Sequence, residues 1–212
     1  GSFFLNIVGA PTDPFLAFDV AKEFNKYFIL QNTIHWIKAI AITKESAITK
    51  KNGLNGDISI GHFKPINTPK YLNQCHEYIF HFTKKGEVMM DKLAIGVPYQ
   101  HASNITRWKI KKNKRDRGNV WFIRYENKQG GVAPIMHPAL FPEKLPYLCI
   151  KLHGIKSKMV VYDPFMGIGT TALACLRLGV NYLGTDIDEN YIKETNKILS
   201  QRRKEMAQKT LA

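Results

Sequence analysis

Val160-Val161-Tyr162-Asp163-Pro164-Phe165-Met166-Gly167-Ile168-Gly169-Thr170-Thr171 is the stretch that decides the fold. Met159 to Tyr162 reads as a short buried strand, the glycines as a turn, and Thr170 to Leu178 as a helix. Glycines at 167 and 169 let the backbone approach a ligand closely. The helix that follows points its free N–H groups, and the hydroxyls of Thr170 and Thr171, at any carboxylate or phosphate placed there. Downstream, Tyr182 to Thr185 reads as a second strand that delivers Asp186 at its carboxyl end. A carboxylate in that place is suited to accept hydrogen bonds from both ribose hydroxyls of an adenosine group.

Two ligands fit this strand–turn–helix–strand unit. Gly167-x-Gly169-x-x-Ala172 satisfies the dinucleotide fingerprint and would mean NAD. Asp163-Pro164, however, separates the strand from the glycines, and two threonines crowd the helix start that a pyrophosphate needs. S-adenosylmethionine is the better match, and a bare turn with no ligand is the bland alternative.

Working outward, Leu145 to Leu152 reads as a helix before the strand, and Asn190 to Gln208 as a long basic helix after Asp186. Toward the amino end, Phe3 to Val8 forms a strand closed by Gly9-Ala10-Pro11. Asp13-Pro14 resembles a helix cap, with Phe15, Phe18, Ala21, Phe24 and Phe28 on one helical face. Ile34 to Ile42, His76 to Phe82 and Asn119 to Glu126 are further strands, and Thr43 to Asp57 is a polar loop. The alternation of βα units with a poorly periodic middle predicts a doubly wound, Rossmann-like α/β sheet with an insertion.

The chain has 212 residues, a formal net charge of +14 and a pI near 9.7. That length suits one α/β domain with an insertion, and that charge steers encounter with polyanions, nucleic acid first among them. Cys75, Cys149 and Cys175 are odd in number and lack C-x-x-C spacing, which argues against a disulfide framework and a zinc site. They read as small buried hydrophobes in a reducing compartment. No apolar run reaches the roughly 18–20 residues of a membrane helix, and no secretory signal is present, so a soluble intracellular protein is expected. His76 and His81 lie five apart on one strand, hence on opposite faces, and read as structural residues with no metal between them.

Asp163-Pro164-Phe165-x-Gly167-x-Gly169-Thr170-Thr171 resembles the cofactor motif of the DNA amino-methyltransferases, which methylate cytosine N4 or adenine N6. His137-Pro138-Ala139-Leu140-Phe141-Pro142-Glu143-Lys144-Leu145-Pro146 is similar to that family's second cofactor motif, with His137, Pro138 and Phe141 placed to wall the methionine end. The order of the two motifs resembles the subgroup whose catalytic half comes first and whose target-recognition region lies between the halves. The resemblance therefore implies three parts: residues 1–85 as the remainder of the catalytic half, 86–133 as a target-recognition insertion, and 134–212 as the S-adenosylmethionine-binding half. Gly61 to Asn67, Cys75 to Phe82 and the form Phe141-Pro142-x-x-Leu145-Pro146 resemble the N4-cytosine branch. On resemblance alone, Asn6 and His62 approach the base pocket.

The family's catalytic tetrapeptide, Ser/Asp-Pro-Pro-aromatic, occurs nowhere in the 212 residues. Asp13-Pro14-Phe15 and Val97-Pro98-Tyr99 lack the second proline. The resemblance places the tetrapeptide ahead of Gly1, so the catalytic residues are unknown. The chain is expected to bind cofactor and double-stranded DNA and to transfer methyl groups poorly alone, with a second polypeptide as one possible source of the motif. Arg107, Trp108, Lys111, Lys112, Lys114, Arg115 and Arg117 fall in the expected recognition region and are the candidate DNA contacts, with a solvated charged loop as the bland reading. A non-catalytic S-adenosylmethionine- and DNA-binding subunit or regulator, and a nicotinamide oxidoreductase, are the competing functions.

Overall fold

A computed structural model describes residues 1–38, 66, 68–99, 103, 105, 113–123 and 141–211. It divides into two compact units, one of residues 1–89 and 96–126 and one of residues 90–95 and 127–212.

The first unit is built on a sheet of β1 (Ser2–Ile7), β2 (Ile29–Ile37), β3 (His76–Thr83) and β4 (Val120–Phe122), ordered β1-β3-β2-β4. β3 runs antiparallel to both neighbours, and β4 lies parallel to β2. Helix α1 (Leu16–Asn25) packs on one face, where Ala17, Ala21, Phe80 and Phe82 form the core with Phe3, Leu5, Phe24 and Phe28 against them. Burying each such large side chain contributes about 1.5–3 kcal/mol. Ile34, Trp36, Ile79 and Trp121 point to the other face and are equally buried. Coverage on both faces explains why β3 buries Ile79 and His81 at one parity and Phe80 and Phe82 at the other.

Three sequence expectations shift here. β2 begins at Ile29, five residues before the predicted Ile34, because a bulge between Leu30 and Asn32 breaks the alternation that would have revealed it. The bulged Gln31 is put to use: its amide donates to the Val88 carbonyl at 2.8 Å and its oxygen accepts from Thr83 Oγ1 at 3.0 Å. Helix α1 starts at Leu16 with Phe15 at its cap and no side-chain capping bond, so Asp13 is not the cap; it bridges instead to Ala10. Phe15 therefore lies outside the helical face and is 68% exposed.

His81 is fully buried on β3, stacked on Phe4, with its ring nitrogens 3.1 Å from Asn32 Nδ2 and 2.8 Å from Ser2 Oγ. His76 lies at the start of the same strand beside His35, and burial lowers its pKa, helped by the His35 and Lys38 charges. Asn6 donates to Glu77 Oε2 at 2.8 Å and to the Tyr78 carbonyl at 3.1 Å, while Lys38 pairs with the other Glu77 oxygen. Within residues 86–133, β4 joins the sheet, and Val97 and Arg115 exchange two backbone hydrogen bonds of 2.9 and 2.8 Å.

The second unit contains a 3-10 turn (Lys92–Ile95), α2 (Lys144–His153), β5 (Val160–Asp163), α3 (Thr170–Leu178), β6 (Asn181–Gly184) and α4 (Glu189–Leu211). β5 and β6 pair in parallel, and α3 is the crossover between them. Ile150, Ala174, Cys175 and Val180 form its core, with Tyr147, Met159, Val161 and Tyr182 packed around. The expected βαβ unit is thus present within a residue or two at each boundary, but β5 is not the buried strand expected: Val161 packs on the core while Val160 and Tyr162, on the opposite face, are exposed. Among the described residues, no helix is long and apolar enough to cross a membrane.

Candidate cofactor site

The site grows from the end of β5. Both Asp163 oxygens are engaged locally: Oδ1 accepts from the Phe165 N–H at 3.1 Å, and Oδ2 accepts from Thr171 Oγ1 at 2.6 Å. One carboxylate thereby ties the strand end, the turn and the first turn of α3 together, a side-chain alternative to the backbone bonds that a bend forgoes. The strands remain in register beyond their ends, with Thr185 N–H donating to the Asp163 carbonyl and Met166 N–H to the Thr185 carbonyl, each at 3.0 Å.

Gly167 (φ +50°) and Gly169 (φ +79°) both occupy the left-handed region, where a Cβ costs roughly 1–2 kcal/mol. Gly169 is the cap of α3 and closes a tight turn through its N–H to the Met166 carbonyl at 2.8 Å. Met166 lies over Gly184, so that a Cβ at 184 would run into its sulfur. This close approach was not signalled by the sequence.

Asp186 meets the turn from the other strand. Its Oδ2 accepts from the Gly167 N–H at 2.8 Å and its Oδ1 from the Asp188 N–H at 3.0 Å. The glycine turn and the acidic residue, nineteen positions apart, are therefore one hydrogen-bonded unit. The N–H groups of Ile168, Thr170 and Thr171 donate to no acceptor among the described residues. They form a small donor array at the start of a helix, the arrangement that receives a carboxylate. On the rim, Phe165 is 87% exposed and Ile187, next to Asp186, is completely exposed. Behind the turn, burial and the Asp163 carboxylate push the Cys175 thiol up to about 11.

The structure thus brings together Asp163, Pro164, Phe165, Gly167, Gly169, Thr170, Thr171 and Asp186. Phe141 is half-buried just ahead of α2, apart from this hydrogen-bonded set. His137 and Pro138 lie outside the described residues, as do Arg107, Trp108, Lys111, Lys112 and His62. Of the candidate DNA contacts, Arg115 is exposed, Lys114 is partly exposed, and Arg117 is half-buried with its pKa lowered by that burial. Sequence reasoning missed Ile187, Met166 and the buried Thr195 of α4. Thr195 had a signal: it interrupts the inward stripe formed with Ile192 and Leu199.

Solved structures share this fold at low sequence identity. The chain superposes on PvuII DNA methyltransferase (cytosine-N4-specific) with a TM-score of 0.60 at 18% identity, covering 92% of this chain and 62% of that one. It superposes on the M1.HpyAVI–SAM complex with a TM-score of 0.54 at 20% identity, covering 93% and 74%. The doubly wound, Rossmann-like methyltransferase fold expected from the sequence is thereby shown. The family model described as DNA methylase, N6_N4_Mtase, matches residues 1–197, and the chain belongs to that family. Among relatives, Type II methyltransferase M.SmaI of Serratia marcescens is 31% identical over 130 residues, 61% of this chain and 40% of the relative. Type II methyltransferase M1.MboII of Moraxella bovis is 30% identical over 141 residues, 59% of this chain and 54% of the relative. The chain thus spans about half the length of these relatives.

Proposed function

We propose that the chain binds S-adenosylmethionine in the turn between β5 and α3 and forms the cofactor-binding and DNA-reading part of a DNA amino-methyltransferase. The observation that carries this reading is the 2.8 Å bond from Gly167 N–H to Asp186 Oδ2, which fixes the acidic residue at the mouth of the glycine turn. The residues present fit the group. The Ile168, Thr170 and Thr171 amides suit its carboxylate, Asp186 suits its ribose hydroxyls, and the exposed Ile187 and Phe165 offer apolar surface to its adenine. When bound, S-adenosylmethionine supplies a methyl group on a sulfonium sulfur, open to attack by an amine. The chain's own residues bind and orient; the rate advantage available to them is that of holding two reactants in line.

Cytosine N4 is the favoured acceptor over adenine N6. Support comes from the Phe141-Pro142-x-x-Leu145-Pro146 form and from the likeness to a cytosine-N4-specific enzyme. The DNA partner follows from the net charge of +14 together with family membership, and the Arg107–Arg117 segment is its proposed contact. Parts at 1–85, 86–133 and 134–212 remain the proposed functional division. No Pro-Pro dipeptide occurs in the 212 residues, so the grip on a flipped base that the Ser/Asp-Pro-Pro-aromatic segment provides has to be supplied in addition.

Calorimetry with S-adenosylmethionine and with NAD tests the site: binding of the first and none of the second is expected. Methyl transfer to duplex DNA is then assayed with and without an added polypeptide bearing the tetrapeptide. Stimulation by that polypeptide supports the methyltransferase reading. DNA binding without any stimulation favours the non-catalytic subunit, and binding of NAD alone overturns the assignment.

A further inference from the structure

We infer that Thr195, on α4, is a positioning residue that sets the orientation of the cofactor turn from behind. This rests on the reading of that turn as the cofactor site. Thr195 is 1% exposed, one of three buried polar side chains among the described residues with His81 and Thr83. Its Oγ1 donates to the Gly167 carbonyl at 3.0 Å. A Cβ added at Gly169 would collide with its Cγ2 and stand 3.0 Å from its Oγ1. One side chain therefore touches both glycines of the turn, one through a hydrogen bond and the other through the space its missing side chain leaves.

The consequence follows from peptide planarity. In a trans peptide the N–H points opposite to the C=O, and every peptide bond described here is trans. Drawing the Gly167 carbonyl inward to Thr195 turns the Ile168 N–H outward, where it donates to no acceptor among the described residues. On the preceding peptide, the Gly167 N–H is held by Asp186 at 2.8 Å. Gly167 is thus fixed on both sides, by Asp186 from the end of β6 and by Thr195 from α4. Without the hydroxyl, its carbonyl is left buried and unsatisfied. The turn relieves that by rotating the 167–168 peptide, which takes the Ile168 amide out of the donor array. A stripe position that would ordinarily be filled by an aliphatic residue is occupied here by threonine for its hydroxyl.

The test uses Thr195→Val, which keeps the shape and removes the hydroxyl, and Thr195→Ser, which keeps the hydroxyl. Each is examined in the 212-residue chain. Calorimetry with S-adenosylmethionine should show binding roughly 10- to 100-fold weaker for T195V and within about threefold of the parent for T195S. Amide hydrogen exchange on the ligand-free proteins reads the turn directly. T195V should speed exchange at Gly167 and Gly169 at least about tenfold, leave the interior of α3 unchanged, and be rescued by T195S. Equal affinity and equal exchange in T195V and parent would overturn the inference, as would exchange accelerated uniformly along α3 and α4. If the parent binds no S-adenosylmethionine, the cofactor reading fails, yet the exchange measurement still decides whether Thr195 sets the turn.

Discussion

Replacing Gly169 by alanine separates two costs that the structure places on one atom. The first is conformational: Gly169 sits at φ +79°, where a Cβ costs roughly 1–2 kcal/mol. The second is steric: the new methyl would collide with Thr195 Cγ2 and lie 3.2 Å from Thr195 Cβ, a buried group on a packed helix. Overpacking of this kind costs about 1–3 kcal/mol, giving a total of about 2–5 kcal/mol for Gly169→Ala. Thr195→Ala removes the Gly167 bond and costs about 1–3 kcal/mol alone, but it also clears the space that the methyl introduced by Gly169→Ala needs. The double variant should therefore be less destabilised than the sum, with a coupling of about 1–3 kcal/mol that measures the steric part. Urea unfolding should be followed by far-ultraviolet circular dichroism, because α2, α3 and α4 all belong to the second unit. Tryptophan fluorescence is unsuitable, since the buried Trp36 and Trp121 report on the first. Strict additivity of the two costs would refute the reasoning, since it would mean that the turn and α4 do not share this contact.

Three further outcomes are expected. Asp186→Asn removes a charge-assisted acceptor and should weaken S-adenosylmethionine binding by about 10- to 100-fold at neutral pH, as charged hydrogen bonds contribute about 1.5–3 kcal/mol; calorimetry checks it, and unchanged affinity would remove Asp186 from the site. With a thiol reagent at about pH 8, Cys75 alone of the three cysteines should react quickly, because Cys149 and Cys175 are buried and their raised pKa values keep them protonated; by the same sign, the stability due to Cys175 is complete below its unfolded pKa near 9 and is lost as pH rises through about 11. Lys114→Ala and Arg115→Ala should each lower the salt dependence of duplex binding by about one counterion, read as the slope of log affinity against log salt; slopes equal to the parent's would move the DNA contact elsewhere.

What was legible in the sequence was what local chemistry dictates. The β5–α3–β6 unit could be read because a short apolar strand, two glycines and a following amphipathic helix each have a short-range signature, and the acid at 186 ends the next strand. The start of β2 could not, because the bulge at Gln31 shifts the alternation by one residue, and the bulge exists for partners at Thr83 and Val88, more than fifty positions away. The cap of α1 was misplaced for a similar reason. Asp13 has a capping side chain by composition, but the turn it closes onto the Ala10 carbonyl leaves it two residues ahead of Phe15, the cap position, and only its backbone carbonyl reaches the Leu16 N–H, at 3.4 Å. Asp163 was legible as a site residue, whereas its engagement with Phe165 and Thr171 was not, since spacing alone does not say which way a carboxylate faces.

Asp186 and Thr195 grip the same glycine yet should not behave alike when altered, and the difference tests the division of labour in the site. Asp186 holds the turn through Gly167 N–H and is also the proposed partner of the sugar, so its loss takes away a ligand contact and a support together. Thr195 is buried behind the turn and touches no ligand surface, so its loss acts only through the position of the Ile168 amide. Asp186→Asn retains an oxygen able to accept from Gly167, and its effect on exchange at Gly167 should be small beside its effect on affinity. Thr195→Val should move exchange and affinity together. If Asp186→Asn loosened the turn as much as Thr195→Val while binding fell no further, the carboxylate would be a structural latch, and the adenosine-binding role assigned to it would have to pass to another group.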